Sequence, residues 1–318
     1  MAVFKGFSFI PEGTRIPFVA LRKICFALST MLIIASIALF FSKGLNYGID
    51  FRGGTLIEVQ TKDGPADLGS IRSTLGGLDL GDVQVQTFGA PDDVLIRIEE
   101  QPGGEQAQQQ GIQKVKQAFG DTVDYRRVEV VGPTVSGELK QAGAIAVGAA
   151  ILAILIYIWF RFEWQFSLSA VAALVHDVTL TIGIFALLQL EFNLSIIAAI
   201  LTIVGYSLND TVVVFDRIRE NLRKFKKMPL PELLDLSMNE TLSRTTLTSF
   251  TTLLAVVALY VFGGEVIRGF TFAMIWGILV GTYSSIFVAA PLLLVLGVKR
   301  DWSGLGGAKV REPSAGGA

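Results

Sequence analysis

LSIIAAILTIVGYSLNDTVVVF, residues 194 to 215, decides how the chain is to be read. It reaches the roughly 20 apolar residues that cross hydrocarbon, yet it places Asn209 and Asp210 among Leu, Val and Ile. A carboxylate at membrane depth costs several kcal/mol unless it is neutralised, paired or wetted. If the stretch is a membrane span, the fold is a helical bundle and the acid has a purpose there. Composition agrees with a span: of 318 residues 51% are apolar and 17% charged, with 22 Phe against 6 Tyr, which suits lipid-facing surface. A formal net charge of -1 lacks the basic footprint of a nucleic-acid partner. A single cysteine, Cys25, leaves neither a disulfide framework nor a thiolate metal site.

Working outward, five more stretches match that length: 24–42, 142–160, 166–190, 245–262 and 269–298. Six transmembrane helices are predicted. The last is long and should break or kink near Pro291, whose ring clashes with the preceding turn and which has no N–H. The first is longer than a signal-peptide apolar core and has no A-x-A site after it, so it reads as a retained anchor. Arg22, Lys23, Arg161, Arg217, Arg219, Arg223, Arg244, Lys299 and Arg300 gather on one side, whereas the short loops on the other carry only Arg268. Positive charge marks the cytoplasmic side, so both termini are expected there. The predicted division is 1–23 cytoplasmic, 24–42 first span, 43–140 an extracytoplasmic domain, 141–298 a bundle with cytoplasmic loop 216–244, and 299–318 a cytoplasmic disordered tail.

The polar segment 43–140 is large enough for a small domain. TLIEVQT, VQVQTFG, DVLIRIEE and TVDYRRVEV alternate as strands do, while PADLGSIRSTLGGL and EQAQQQGIQKVKQAFG read as helices. The order βαββαβ predicts a ferredoxin-like α+β domain between the first two membrane helices. After the fourth span, Leu230, Leu233, Leu234 and Met238 follow two prolines at helical spacing, a pattern expected to lie flat on the inner leaflet.

There is no GxxxxGK[ST], no GxSxG and no metal-type His or Cys spacing. Enzyme activity, a cofactor and a metal are therefore not expected. What remains is charge at membrane depth. Asp210 lies about 10 Å before Arg217 along the helix, and Arg244 opens the fifth span at a comparable depth. Ser207, Asn209 and Thr211 surround the acid in sequence, and Arg244, Thr248, Thr251 and Thr252 make a stripe on the next span. Either Asp210 and Arg244 form a structural salt bridge, or Asp210 gains and loses a proton as burial and a nearby cation pull its ionisation in opposite directions. Asp177 is a second candidate. Its neighbour His176, the sole histidine, is either a proton relay or a satisfied donor between helices. Outside the span region, Gly48, Gly53 and Gly54 free the backbone for a turn, and Asp50 and Arg52 could clamp the domain to the bundle.

YGIDFRGGT at 47–55, VHD at 175–177, GYSLNDTVVVFDRIREN at 205–221 and LSRTTLTS at 242–249 resemble, in order and spacing, the SecD/SecF family within the resistance-nodulation-division superfamily. The resemblance runs from the first span to the end of the sixth. It implies a proton-driven helper of protein export in the bacterial cytoplasmic membrane, with H⁺ as coupling ion. The family's proton-site aspartate falls on Asp210 and its essential arginine on Arg244. Implied partners are SecD, the SecYEG translocon, YajC and YidC as further candidates, the unfolded exported polypeptide and membrane lipid. Rival readings are half of a small-molecule or lipid exporter, a scaffold that moves nothing, and an intramembrane aspartyl hydrolase using Asp177 and Asp210.

Overall fold

The computed structural model describes residues 14–298; the expectations for 1–13 and 299–318 lie outside the described residues. Six helices in it are long and apolar enough to cross a membrane. In chain order the elements are α1 Arg22–Lys43, β1 Asn46–Tyr47, α2 Ile49–Arg52, β2 Gly54–Thr61, α3 Leu68–Gly76, β3 Val83–Phe88, β4 Ala90–Ile98, α4 Gly104–Phe119, β5 Val123–Val131, α5 Pro133–Arg161, α6 Trp164–Leu188, β6 Glu191–Phe192, α7 Leu194–Lys224, α8 Leu230–Phe262, α9 Arg268–Ser284 and α10 Ala290–Leu296.

Between α1 and α5 the long strands form one antiparallel sheet in the order β3-β4-β2-β5. Alternation puts Ile57, Val59, Val94, Ile96 and Ile98 on one face, where they pack with Ile71 and Leu75 of α3 and Ile112 and Val115 of α4. Asp67 starts α3 by accepting the Gly69 and Ser70 N–H groups. At Gly54, φ is +110° and a Cβ would stand 2.3 Å from the Ile98 carbonyl oxygen, so only glycine lets β2 enter the sheet here.

Three helices run further than apolar length indicates. α5 begins nine residues before the predicted span at 142, α7 continues to Lys224, and α8 is unbroken from Leu230 to Phe262. The segment expected to lie on the inner leaflet is therefore the beginning of α8. Leu233, Leu234 and Met238 are buried against Phe215, Ile218 and Leu222 of α7 rather than lipid-facing. Polar pins fix this hairpin: Arg217 to Glu240 at 2.7 Å, Asn221 to Ser237 at 3.0 Å, and the Val19 N–H to Asp235 at 2.8 Å. Burial of three large side chains between two helices outweighs the interface site their spacing suggests.

The sixth span does not stop at Pro291. A π-helical turn, Ser285–Ala289, joins α9 to α10. Proline cannot donate to the carbonyl four residues back, and widening the turn absorbs the mismatch. Ser169 of α6 donates to the Ala289 carbonyl at 2.5 Å and ties α6 to this turn.

Candidate functional site

Four helices, α6 to α9, bring hydroxyls and carboxylates into one core. On α6, Asp177 is 0% exposed. One of its oxygens takes the hydroxyls of Ser207 on α7 at 2.6 Å and Ser284 on α9 at 2.8 Å, and the other is 2.9 Å from His176 Nδ1. Asp210, three residues along α7 from Ser207 and on the same side of it, is 2% exposed. Ser249 on α8 donates to it at 3.4 Å and is itself 2.7 Å from Thr282 on α9. Between the two acids, Thr211 and Ser285 share a hydrogen bond of 2.8 Å. The sixth span therefore binds Asp177 directly through Ser284 and reaches Asp210 through Thr282 and Ser249.

Of the residues expected from sequence, Ser207, Asp210, Thr211, Asp177 and His176 belong to this core. Asn209 and Arg244 are exposed on the isolated chain. Thr248 turns its hydroxyl back to the carbonyls of Arg244 and Thr245. Among the described residues Arg244 makes no ion pair or hydrogen bond with Asp210; its charge acts on the acid only through space. Ser249, Thr282, Ser284 and Ser285 were not expected, although the small and polar run GTYSS at 281–285 inside an apolar span was a readable signal.

Asp177 takes two hydroxyl donors and contacts His176 Nδ1, so its loss strands several groups at once. Each buried donor left unsatisfied costs about 1–3 kcal/mol. Asp177→Leu is expected to lower the thermal midpoint of the detergent-solubilised chain by several degrees, and Asp177→Asn, which keeps an acceptor oxygen, by less. Equal midpoints for the two variants would contradict the hydrogen-bond account.

At the other end of the bundle the glycine-rich exit of α1 is tied to the loop between α6 and α7. β1 and β6 pair in parallel, Asn46 with Glu191 and Tyr47 with Phe192. Asp50 accepts the Leu194 N–H at 2.9 Å, placing a carboxylate at the positive end of α7, and Gly48 lies so close to Glu191 that a Cβ would stand 2.6 Å from its carboxylate. From the sheet, Arg97 reaches Glu191 at 3.0 Å and Asn46 at 3.2 Å. Asp50 thus meets the start of α7, whereas Arg52 is exposed and has no ion pair within 4 Å among the described residues; the cation at this junction is Arg97.

Burial pushes the Glu191 carboxyl above its ordinary 4.5, and the Arg97 guanidinium opposes that shift. A carboxyl raised in the docked arrangement binds its proton more tightly there than when the domain is free. Docking therefore gains strength as pH falls and loses it as pH rises through the raised value. A spin-label distance between β4 and the 189–193 loop should report this as a narrower distribution at the acid end. Glu191→Gln should flatten the dependence while leaving the domain docked; a dependence unchanged in that variant would place the titrating group elsewhere.

These features define a class: a six-span membrane protein with an α+β domain inserted after its first helix and two carboxylates buried among hydroxyls in the bundle. Residues 111–299 match the family described as "Protein export membrane protein SecD/SecF, C-terminal", and residues 38–64 match the "SecD/SecF GG Motif". The chain belongs to the SecD/SecF family of protein export membrane proteins. It is 49% identical to "Protein translocase subunit SecF" of Cereibacter sphaeroides, the match covering 91% of this chain and 92% of that one. It is 48% identical to "Protein translocase subunit SecDF" of Brucella abortus, over 91% of this chain but 38% of the relative's length. Among solved structures, SecDF from Thermus thermophilus overlays with a TM-score of 0.82 at 35% identity, covering 89% of this chain and 39% of that one. A SecDF in "Super-membrane-facing form" overlays at 0.67 with 34% identity, over 91% of this chain and 39% of that one.

Proposed function

We propose that this chain is the accessory subunit of a Sec protein translocase that draws on the proton gradient through Asp210. The observation that carries the reading is the acid itself: a carboxylate 2% exposed within an apolar helix, held by one long hydroxyl contact and by no ion pair among the described residues. A carboxylate used only as structural glue would be firmly paired. Asp177 is held firmly by two hydroxyls on one oxygen; Asp210 is not.

In this reading Arg244, which like Asn209 is exposed on the isolated chain, faces a SecD subunit, in keeping with the SecDF name of the Brucella relative. The sheet order supports a ferredoxin-like topology, with strands one and three of the βαββαβ order at the centre. The domain lies outside the cytoplasm, and the protein resides in the bacterial inner membrane with both termini inside. SecYEG, with YajC and YidC, is the assembly it serves, and an unfolded exported chain is the cargo.

Protonating Asp210 removes a buried charge and relaxes its hold on Ser249, and through Ser249 on Thr282. α8 and α9 then repack, and because α7 starts at the Asp50 contact and next to the Arg97–Glu191 pair, a shift of α7 is felt by the outer domain. This chain overlays on the two solved structures to different degrees, 0.82 and 0.67, at nearly equal identity, which fits an element with two arrangements. Gradient-dependent export from vesicles carrying Asp210→Asn or Arg244→Met tests the reading.

A further inference from the structure

We propose that His176 and Asp177 form a second proton-binding site in the bundle, one that holds a proton independently of Asp210. Its use in export rests on the function proposed above; the site itself does not. Two hydroxyls converge on one Asp177 oxygen, and a hydroxyl donating at 2.6 or 2.8 Å favours an ionised acceptor. The His176 contact at 2.9 Å on the other oxygen then requires the hydrogen to sit on Nδ1. A neutral imidazole with its hydrogen on Nδ1 leaves Nε2 bare. That atom is buried and has no hydrogen-bond partner among the described residues, in a side chain 1% exposed.

The charge balance decides what such a nitrogen does. A lone histidine in hydrocarbon resists protonation because a charge would be created there. Here the charge already exists on Asp177, in direct contact. A proton arriving at Nε2 converts a buried anion beside a neutral ring into a neutral ion pair, so uptake removes net charge from the bundle. The ring of Tyr283 is stacked on the imidazole, centroids 5.9 Å apart and planes at 29°, a face that favours a cation.

The groups around the site are few. Asp177 is on the same helix, Ser207 is on α7, and Ser284 and Tyr283 are on α9; Asp210 lies beyond the Thr211–Ser285 link. Tyr283 donates to the Cys25 carbonyl at 3.2 Å and is 3.1 Å from the Ser29 hydroxyl. The second site is thereby joined to α1, the helix that leads directly into Gly48 and Asp50 at the domain junction. Asp210 is joined to α8 and α9. The two sites share α7 and α9, and the link through Tyr283 adds α1 on the His176 side alone among the hydrogen bonds of the described residues.

Because the chain contains one histidine, ¹⁵N-histidine labelling of the full chain in lipid nanodiscs reports His176 alone. Nitrogen shifts are followed from about pH 9 to about pH 5, the interval in which an imidazole changes charge. The expected result is Nδ1 protonated throughout and Nε2 gaining a hydrogen as pH falls. Asp177→Asn, which removes the compensating charge, should hold Nε2 bare over the same interval, whereas Asp210→Asn should leave the transition in place. An Nε2 that keeps one protonation state across the interval in the unmodified chain would overturn the proposal. So would a transition unaltered in Asp177→Asn. Neither outcome depends on export, so failure here is distinguishable from failure of Asp210 as the coupling acid.

Discussion

Asp210→Asn is expected to leave the chain folded and inserted while abolishing the response of export to the proton gradient. Asparagine has nearly the shape of aspartate and can still accept from Ser249, a contact of 3.4 Å that contributes little in either form. What it cannot do is change charge. Across 100 mV one elementary charge is worth about 2.3 kcal/mol, and each 1.4 kcal/mol is a factor of ten, so one proton can shift a conformational population by about 50-fold. That is the stimulation expected to vanish, leaving the basal rate. Arg244→Met should produce the same loss for a different reason: the acid would remain titratable, but the cation whose field it answers would be gone. Completion of export is read in inverted vesicles with and without a dissipated gradient, against thermal midpoints that report folding. Full gradient stimulation in both variants would leave the scaffold reading, in which the bundle only holds other subunits together.

The spans are legible in the sequence because length and apolarity are local properties. The strands of the inserted domain are legible for a similar reason, since period-two alternation fixes a face without reference to any partner. The polar core is legible only in part. Asp210, Asp177 and Ser207 stand out because charge and hydroxyls are scarce in their spans. The stripe Arg244, Thr248, Thr251 and Thr252 is misleading: Thr248, Thr251 and Thr252 donate to carbonyls of their own helix, four residues back, and so satisfy themselves without reaching either acid. Ser249, one position from Thr248 and about 100° around the helix, is the residue that reaches Asp210. Nothing local separates those two cases. Likewise the partner of Asp50 is a backbone N–H 144 residues away, and the choice between Arg52 and Arg97 as the cation of the junction depends on which strand faces the 189–193 loop.

Replacing the small residues between α7 and α9 should do the greatest harm to the fold. Gly277 and Gly281 are spaced four apart on α9, as in close-packed membrane helix pairs. A Cβ on Gly277 would lie 2.3 to 2.6 Å from three atoms of Ile203, and one on Gly281 would lie 3.0 Å from the Ser207 Cβ. Ile203 is fully buried and branched at Cβ, so it has few rotamers in a helix by which to retreat. The helices must instead separate. Overpacking of this kind costs about 1–3 kcal/mol for one added group, and Gly277→Val, with three added carbons, belongs at the top of that range or beyond. Separation would also lengthen the Ser285 contact to Thr211 across the same interface and pull apart Ser284 of α9 and Ser207 of α7, which share one Asp177 oxygen. Gly277→Val is therefore expected to lower the thermal midpoint of the solubilised chain by several degrees and, even where it remains folded, to impair gradient-driven export without touching a titratable group. Gly281→Ala, whose nearest neighbour is the smaller Ser207, should be milder in stability yet disturb export comparably. If Gly277→Val matched the unmodified chain in both measurements, close approach of α9 to α7 would not be what holds the hydroxyls against the acids.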